Sequence, residues 1–426
     1  MRKSSRIPGV LLLAFLAGCG PAQPPAPDTS TEPTAVSVTA PTEPALPPKS
    51  TAERATQPPA TSQPTDEPTV TYGQTSVSVP PTTTTTSTAL LPADDIWIQS
   101  ANVVLPLADS SMPLDFAQRG YPSPVYLPKA APNGAYIAYG TERGGLVLVD
   151  VRTGVRRTLV ADGNGVAGFS FSPDGRELAA TIVAANDWTL EVFALEQNGA
   201  RVLRSGPTVL TSTDSLPLVP GPVAWTSAGL LVQYMLYASD APPQNPTLLD
   251  PANPSDTTDQ RIYEGAIINA YPSADGTRFA IVTGELPIGG VPTTQISVID
   301  GSGKQLAIIR NLQPGLLRAL SWSPDGSMLV YALSANYETP NVTLRLVRAD
   351  GSNGQEIDLA ASGLSGAFRD IGWRDNATVL LLTEGAQVQL DALPTNNFSV
   401  AARQPLRTFE GQQPGEGNGR ILYVPR

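Results

Sequence analysis

The chain has 426 residues, a formal net charge of −11, one cysteine and no histidine. The missing histidine excludes a Ser-His-Asp triad, a Cys-His pair and any His-ligated zinc, and a lone cysteine leaves no disulfide within the chain. The acidity argues against nucleic acid, because phosphate binding needs a surface rich in Lys and Arg.

Residues 1–19 read as a processing segment rather than structure. Arg2, Lys3 and Arg6 form a positive end, and residues 10–16 an apolar core too short to span a bilayer. The ending Leu16-Ala17-Gly18-Cys19 resembles a bacterial lipobox, with the basic end, apolar core and small-small-Cys order in place. The resemblance implies lipid attachment at Cys19, cleavage before it, and a place on the extracytoplasmic face of a cell membrane, at the cell surface or in the periplasm. An ordinary secretory signal that contains a cysteine is the alternative.

Residues 20–92 are a different material. They hold 16 of the 43 prolines and an unbroken threonine run at 82–86. Such a composition cannot bury a core, so the segment reads as a disordered tether. It carries a charge of −4 and the signal segment +3, which leaves −10 on residues 93–426. About 330 residues are ample for a core without disulfides.

Strand patterns begin at Ile96-Trp97-Ile98-Gln99 and Val103-Val104-Leu105. A turn-then-strand unit follows and recurs to the end of the chain. Ala131-Pro132-Asn133-Gly134 precedes a strand at 135–139. Phe171-Ser172-Pro173-Asp174-Gly175 precedes 177–183, and Trp225-Thr226-Ser227-Ala228-Gly229 precedes 230–232. Ser273-Ala274-Asp275-Gly276 precedes 278–282, and Trp322-Ser323-Pro324-Asp325-Gly326 precedes 327–333. Trp373-Arg374-Asp375-Asn376 precedes 378–382, and Gly417-Asn418-Gly419 precedes 421–424. Pro presets φ, Asp bonds its own nearby backbone and Gly accepts positive φ, which closes a tight hairpin. The strands that follow are apolar and β-branched, as buried strands are. Turn positions 134, 175, 229, 276, 326, 376 and 419 lie 41 to 54 residues apart, the length of a four-stranded propeller blade. Runs such as 146–150 into 156–160 supply a blade's outer hairpin.

The Trp/Phe-Ser-Pro-Asp-Gly turn, complete at 171–175 and 322–326 and degenerate elsewhere, resembles the TolB-type, WD40-like β-propeller repeat. The resemblance implies an all-β fold of four-stranded blades; counting one blade shared by the two termini gives seven, with six or eight left open by the stretch 109–124. The strands at 96–99 and 103–105 read as the third and fourth of a blade that the C-terminal strand completes, so that the two termini close the ring and remove exposed edges. Residues 93–426 are thus expected to be one propeller. Asp174, Gly175, Asp275, Gly276, Asp325 and Gly326 are expected to be structural turn residues. Phe171, Trp225, Trp322 and Trp373, recurring at one blade position, are expected to pack between blades.

Function is expected outside the repeats. Long insertions fall at the joins between second and third strands, near 184–187, 237–245, 284–294 and 334–341. Insertions on one face of a repeat array often mark a binding face. Candidate contacts there are Asn186, Asp187 and Trp188, then Tyr237 and Asp240, then Asn336, Tyr337 and Glu338, since aromatics beside polar groups suit a protein or envelope glycan. No Gly-rich phosphate loop opens a helix and no EF-hand spacing occurs, so no cofactor or metal is expected. Propellers mostly present binding surfaces, and the expected role is a non-catalytic binding or scaffold module held to the membrane through Cys19. A carboxylate glycosidase or lyase, which needs two placed acids and no histidine, and a structural part of an envelope complex are the alternatives.

Overall fold

The computed structural model describes residues 91, 95–100, 103–107, 114–115, 126–197, 199–208, 217–236, 241–253, 259–285, 293–310, 315–335, 341–362, 364, 366–409 and 420–425. They form seven four-stranded antiparallel sheets. Blade 1 runs from its inner strand Tyr126–Ala130 through Tyr136–Gly140 and Leu146–Asp150 to Arg156–Val160. Blades 2 to 6 repeat this order, with inner strands Gly165–Phe171, Leu218–Thr226, Asn269–Pro272, Leu316–Trp322 and Ala367–Asp375. Blade 7 is composite: the C-terminal strand Arg420–Tyr423 is innermost, followed by Trp97–Ser100, Val103–Pro106 and Leu114–Asp115.

Ring closure is visible in the core. Seven apolar clusters exist among the described residues, and each joins two neighbouring blades. The second strands feed both seams. In Thr378–Glu384, Val379 and Leu381 face blade 5, while Leu380 and Leu382 face blade 7. Side chains alternate across a strand, so a strand with covered faces on both sides reads as a continuous apolar run. That is why these segments carry no polar alternation.

The composite blade corrects two readings of the sequence. Trp97–Ser100 and Val103–Pro106 are the second and third strands, not the third and fourth, and Leu114–Asp115 is the fourth. The C-terminus supplies one strand, so the N-terminal part must supply three. Since Arg420–Tyr423 is an inner strand, glycine 419 precedes that strand rather than joining an inner strand to a second one. Of the other six turn positions, five lie between the inner and second strands and Gly229 opens the second strand itself.

The turns themselves are hydrogen-bonded units. Ser172 Oγ donates to Asp174 Oδ1 at 2.6 Å, Arg176 N donates to the same oxygen, and Glu177 N donates to Ser172 Oγ. The Ser273–Asp275 and Ser323–Asp325 turns repeat this pattern. The Ser172 hydroxyl, with the Arg176 amide, holds the Asp174 carboxyl below its usual range. At Asp275 burial pushes upward, but the Ser273 and Thr277 donors outweigh it and the carboxyl is again lowered. The turns also touch their neighbours: Asn133 Nδ2 donates to Asp174 O, and Ser227 Oγ to Asp275 O. Gly276, at φ 69°, approaches Thr226 so closely that an added Cβ would lie 2.5 Å from its side chain. The aromatics before the turns lock seams: Trp322 Nε1 donates to Tyr271 O in blade 4 at 2.9 Å, and Trp373 Nε1 to Ser321 O in blade 5 at 3.1 Å.

Candidate functional site: a basic bore at the ring axis

The inner strands line two connected cavities on the axis. One, of about 680 Å³, opens at the ends where the inner strands begin, beside Asn269, Arg318, Arg369, Asp370 and Arg420. The other, of about 500 Å³, lies toward the turns, where Phe171, Trp225, Trp322 and Tyr423 sit among prolines. Lys129, Ala130, Tyr271, Leu320 and Leu422 border both.

The first cavity has the opposite sign to the chain as a whole. Lys129, Arg318, Arg369 and Arg420 line it with a single carboxylate, Asp370, among the described residues. Each charge has a distinct environment. Lys129 lies in the inner strand of blade 1, and its Nζ reaches across the seams to Phe169 O at 2.6 Å and Val223 O at 3.3 Å. It also sits 5.3 Å above the Phe169 ring. These contacts provide dipoles and a π face but no counter-charge. Enclosure by protein, reinforced by the neighbouring Arg420 charge, lowers the Lys129 pKa to about 8. Arg369 is neutralised: its Nε meets Glu384 Oε2 at 2.5 Å, and the Glu384 side chain is 1% exposed.

Asp370 closes the ring and faces the bore at once. Its Oδ1 accepts from Ile371 N and its Oδ2 from Ile421 N, each at 2.9 Å, tying blade 6 to the C-terminal strand. Enclosure raises its pKa to about 6, against the pull of those amides and of Arg420. Among the described residues neither Lys129 nor Arg420 forms an ion pair. Two like charges therefore stand together, each without a bonded counter-ion. No cluster of three or more His, Cys, Asp or Glu side chains among the described residues is placed to hold a metal.

The second-to-third joins lie on the same face as the mouth of this cavity. Gly165, at the start of an inner strand, pairs with Val183, at the end of a second strand. Asn186 is exposed in the join, but Asp187 and Trp188 already belong to the third strand Asp187–Ala194. Trp188 is half-buried, packing against the core between blades 2 and 3 and over Gly206, where an added Cβ would come within 2.9 Å of the ring. It is a seam residue more than a presented aromatic. Tyr237, Asp240, Asn336, Tyr337 and Glu338 lie outside the described residues, as does Cys19. Among the described residues no helix is long and apolar enough to cross a membrane.

No protein-family model matches the chain, and no curated protein matches it. Among solved structures, TolB from Acinetobacter baumannii is similar at 21% identity and a TM-score of 0.40, over 62% of this chain. The chain spans 63% of the length of that TolB. Kuenenia stuttgartiensis hydrazine synthase is similar at 12% identity and a TM-score of 0.45, covering 63% of this chain and 78% of that one.

Proposed function

We propose that the chain is a non-catalytic binding module held on the extracytoplasmic face of a cell membrane through lipid on Cys19, with residues 20–92 as its tether and the axial cavity as its ligand site. One observation carries the ligand site: a cavity of about 680 Å³ lined by Lys129, Arg318, Arg369 and Arg420, in a chain of net charge −11. That volume falls within the usual range for small-molecule sites, roughly 300–1,000 Å³. A positive concavity in an acidic molecule concentrates field lines inward and draws anions to it. The glycosidase alternative needs two carboxylates flanking one bond, and the described lining supplies one, Asp370. The anchor rests on the order of residues 2–19.

The site is tested by plugging it. Ala319 borders the cavity. A full-length Cys19→Ser, Ala319→Cys chain carries one thiol, which a bulky maleimide fills. The immobilised chain is exposed to a soluble digest of cell envelope, and retained compounds are read by mass spectrometry. Retention that disappears on plugging supports the axial site; equal retention by plugged and open chains contradicts it.

A further inference from the structure

We infer that the space between Lys129 and Arg420 is a binding site for an oxyanion, the carboxylate or phosphate group of a ligand that enters the mouth of the axial cavity. The inference rests on the axial site proposed above and names its ligand chemistry.

An enclosed charge is costly unless paired and hydrogen-bonded. Several other part-buried cations follow this rule. Arg369 has Glu384, and in the outer strands Arg345 has Glu356 and Arg204 has Asp259. Lys129 and Arg420 break it. Lys129 is held by two backbone carbonyls, which use two of its three donors and leave the third. Arg420, at the first position of the closing strand, forms no hydrogen bond among the described residues through its guanidinium and presents its fork to the same cavity. Asp370 is near enough to feel the Arg420 charge, but its printed bonds are to the amides of Ile371 and Ile421, and no ion pair joins it to Arg420 among the described residues. The acid ties the seam, and the two cations line one cavity, each raising the cost of the other's charge.

A bound oxyanion resolves this arrangement. It accepts from the fork of Arg420 and the remaining donor of Lys129, and it turns a repulsion into two charge-assisted hydrogen bonds. Arg318, on the same cavity wall, adds positive potential. The neighbouring chamber, with Phe171, Trp225, Trp322 and Tyr423, leaves room for an apolar or ring-bearing part of the same ligand. Lys129 and Arg420 are 291 residues apart in sequence and meet only because the C-terminal strand lies beside blade 1. The site therefore exists only in the closed ring.

The test is a titration of the full-length Cys19→Ser chain with inorganic phosphate and, separately, with sodium glucuronate, at constant ionic strength set with KCl. Wild type, Lys129→Met, Arg420→Gln and the plugged Ala319→Cys chain are compared by calorimetry, with circular dichroism confirming that each is folded. Expected are saturable binding of at least one anion by wild type and a loss of about tenfold or more in each charge variant. Preference for phosphate or for glucuronate identifies the group. If Lys129→Met fails to fold, Arg420→Gln alone decides, because its guanidinium supports no neighbour. Absence of saturable binding, or equal binding by wild type and Arg420→Gln, overturns the inference. If anions fail to bind while plugging still abolishes retention of envelope compounds, the axial site stands and its oxyanion chemistry falls. If plugging also changes nothing, both fall.

Discussion

Tyr423→Ala removes the side chain that joins the last strand to the rest of the ring. Tyr423 is 8% exposed, and its ring centroid lies 4.3 Å from that of Trp97, which is fully buried. It belongs to the cluster with Ile137, Tyr139 and Val149 of blade 1, so it joins the composite blade to its neighbour at the point of closure. Truncating a buried aromatic to Ala costs about 3–5 kcal/mol, of which the aromatic pair accounts for roughly 0.5–1.5 kcal/mol. With an unfolding entropy of about 2.1 cal/mol/K per residue over roughly 330 residues, this lowers Tm by about 4–7 °C. Scanning calorimetry of the full-length chain measures it, with Val155→Ala as control, since Val155 is 64% exposed and such a site changes stability by about 0.5 kcal/mol or less. A Trp97→Ala, Tyr423→Ala double-mutant cycle isolates the pair. A Tyr423→Ala chain that melts within about 1 °C of wild type refutes the closure assigned to this strand.

Other outcomes follow from the same structure. Gly276→Ala combines a positive φ with a Cβ lodged against Thr226; it destabilises by about 1–3 kcal/mol, read as a lowered urea midpoint. Asp370 binds its proton more tightly folded, near pH 6, than unfolded, near 3.8, so stability falls as pH rises through that window and is flat above it. Asp370→Asn flattens urea midpoints measured between pH 4 and 7. Lys129 has the inverse linkage: its folded pKa of about 8 lies below the ordinary 10.5, so stability rises between those values, and anion affinity falls over the same range as the ammonium is lost. The charged and titratable groups lining the cavity are Lys129, Arg318, Arg369, Arg420, Asp370 and Tyr271, whose phenol pKa is pushed upward by burial; of these Asp370 adds a second step, affinity rising below about pH 6 as its negative charge disappears. Cys19→Ser abolishes incorporation of labelled fatty acid and releases the chain from the membrane fraction.

The blade frame was legible because its signals are local. Ser172, Asp174 and Gly175 sit within four positions and satisfy one another's hydrogen bonds, so the turn is written in a short string whatever the rest of the chain does. The order of strands in blade 7 was harder. Ile96 and Val103 read as strands, but their rank depends on which C-terminal strand lies inside them, a pairing between Ile98 and Ile421 that no local pattern encodes. The axial site was harder still. Arg318, Arg369 and Arg420 recur every 51 residues, one blade apart, on successive inner strands, but only the closed ring brings them and Lys129 to one cavity. A faint signal existed in the scarcity of lysine: Lys129 and Lys304 are the two in residues 93–426. Trp188 lies at the start of a third strand, half-buried over its cross-strand partner Gly206, a pairing that its position beside a loop does not encode.

The most direct test of the basic bore is the titration of Lys129 itself, followed by NMR on the full-length Cys19→Ser chain with 13C-labelled lysine, where only four lysines contribute signals. One lysine is expected to titrate near 8 in the free protein and to move back toward 10.5 when phosphate or glucuronate is bound; a Lys129 signal that titrates near 10.5 in the free protein, or that stays unmoved by either anion, contradicts the basic bore.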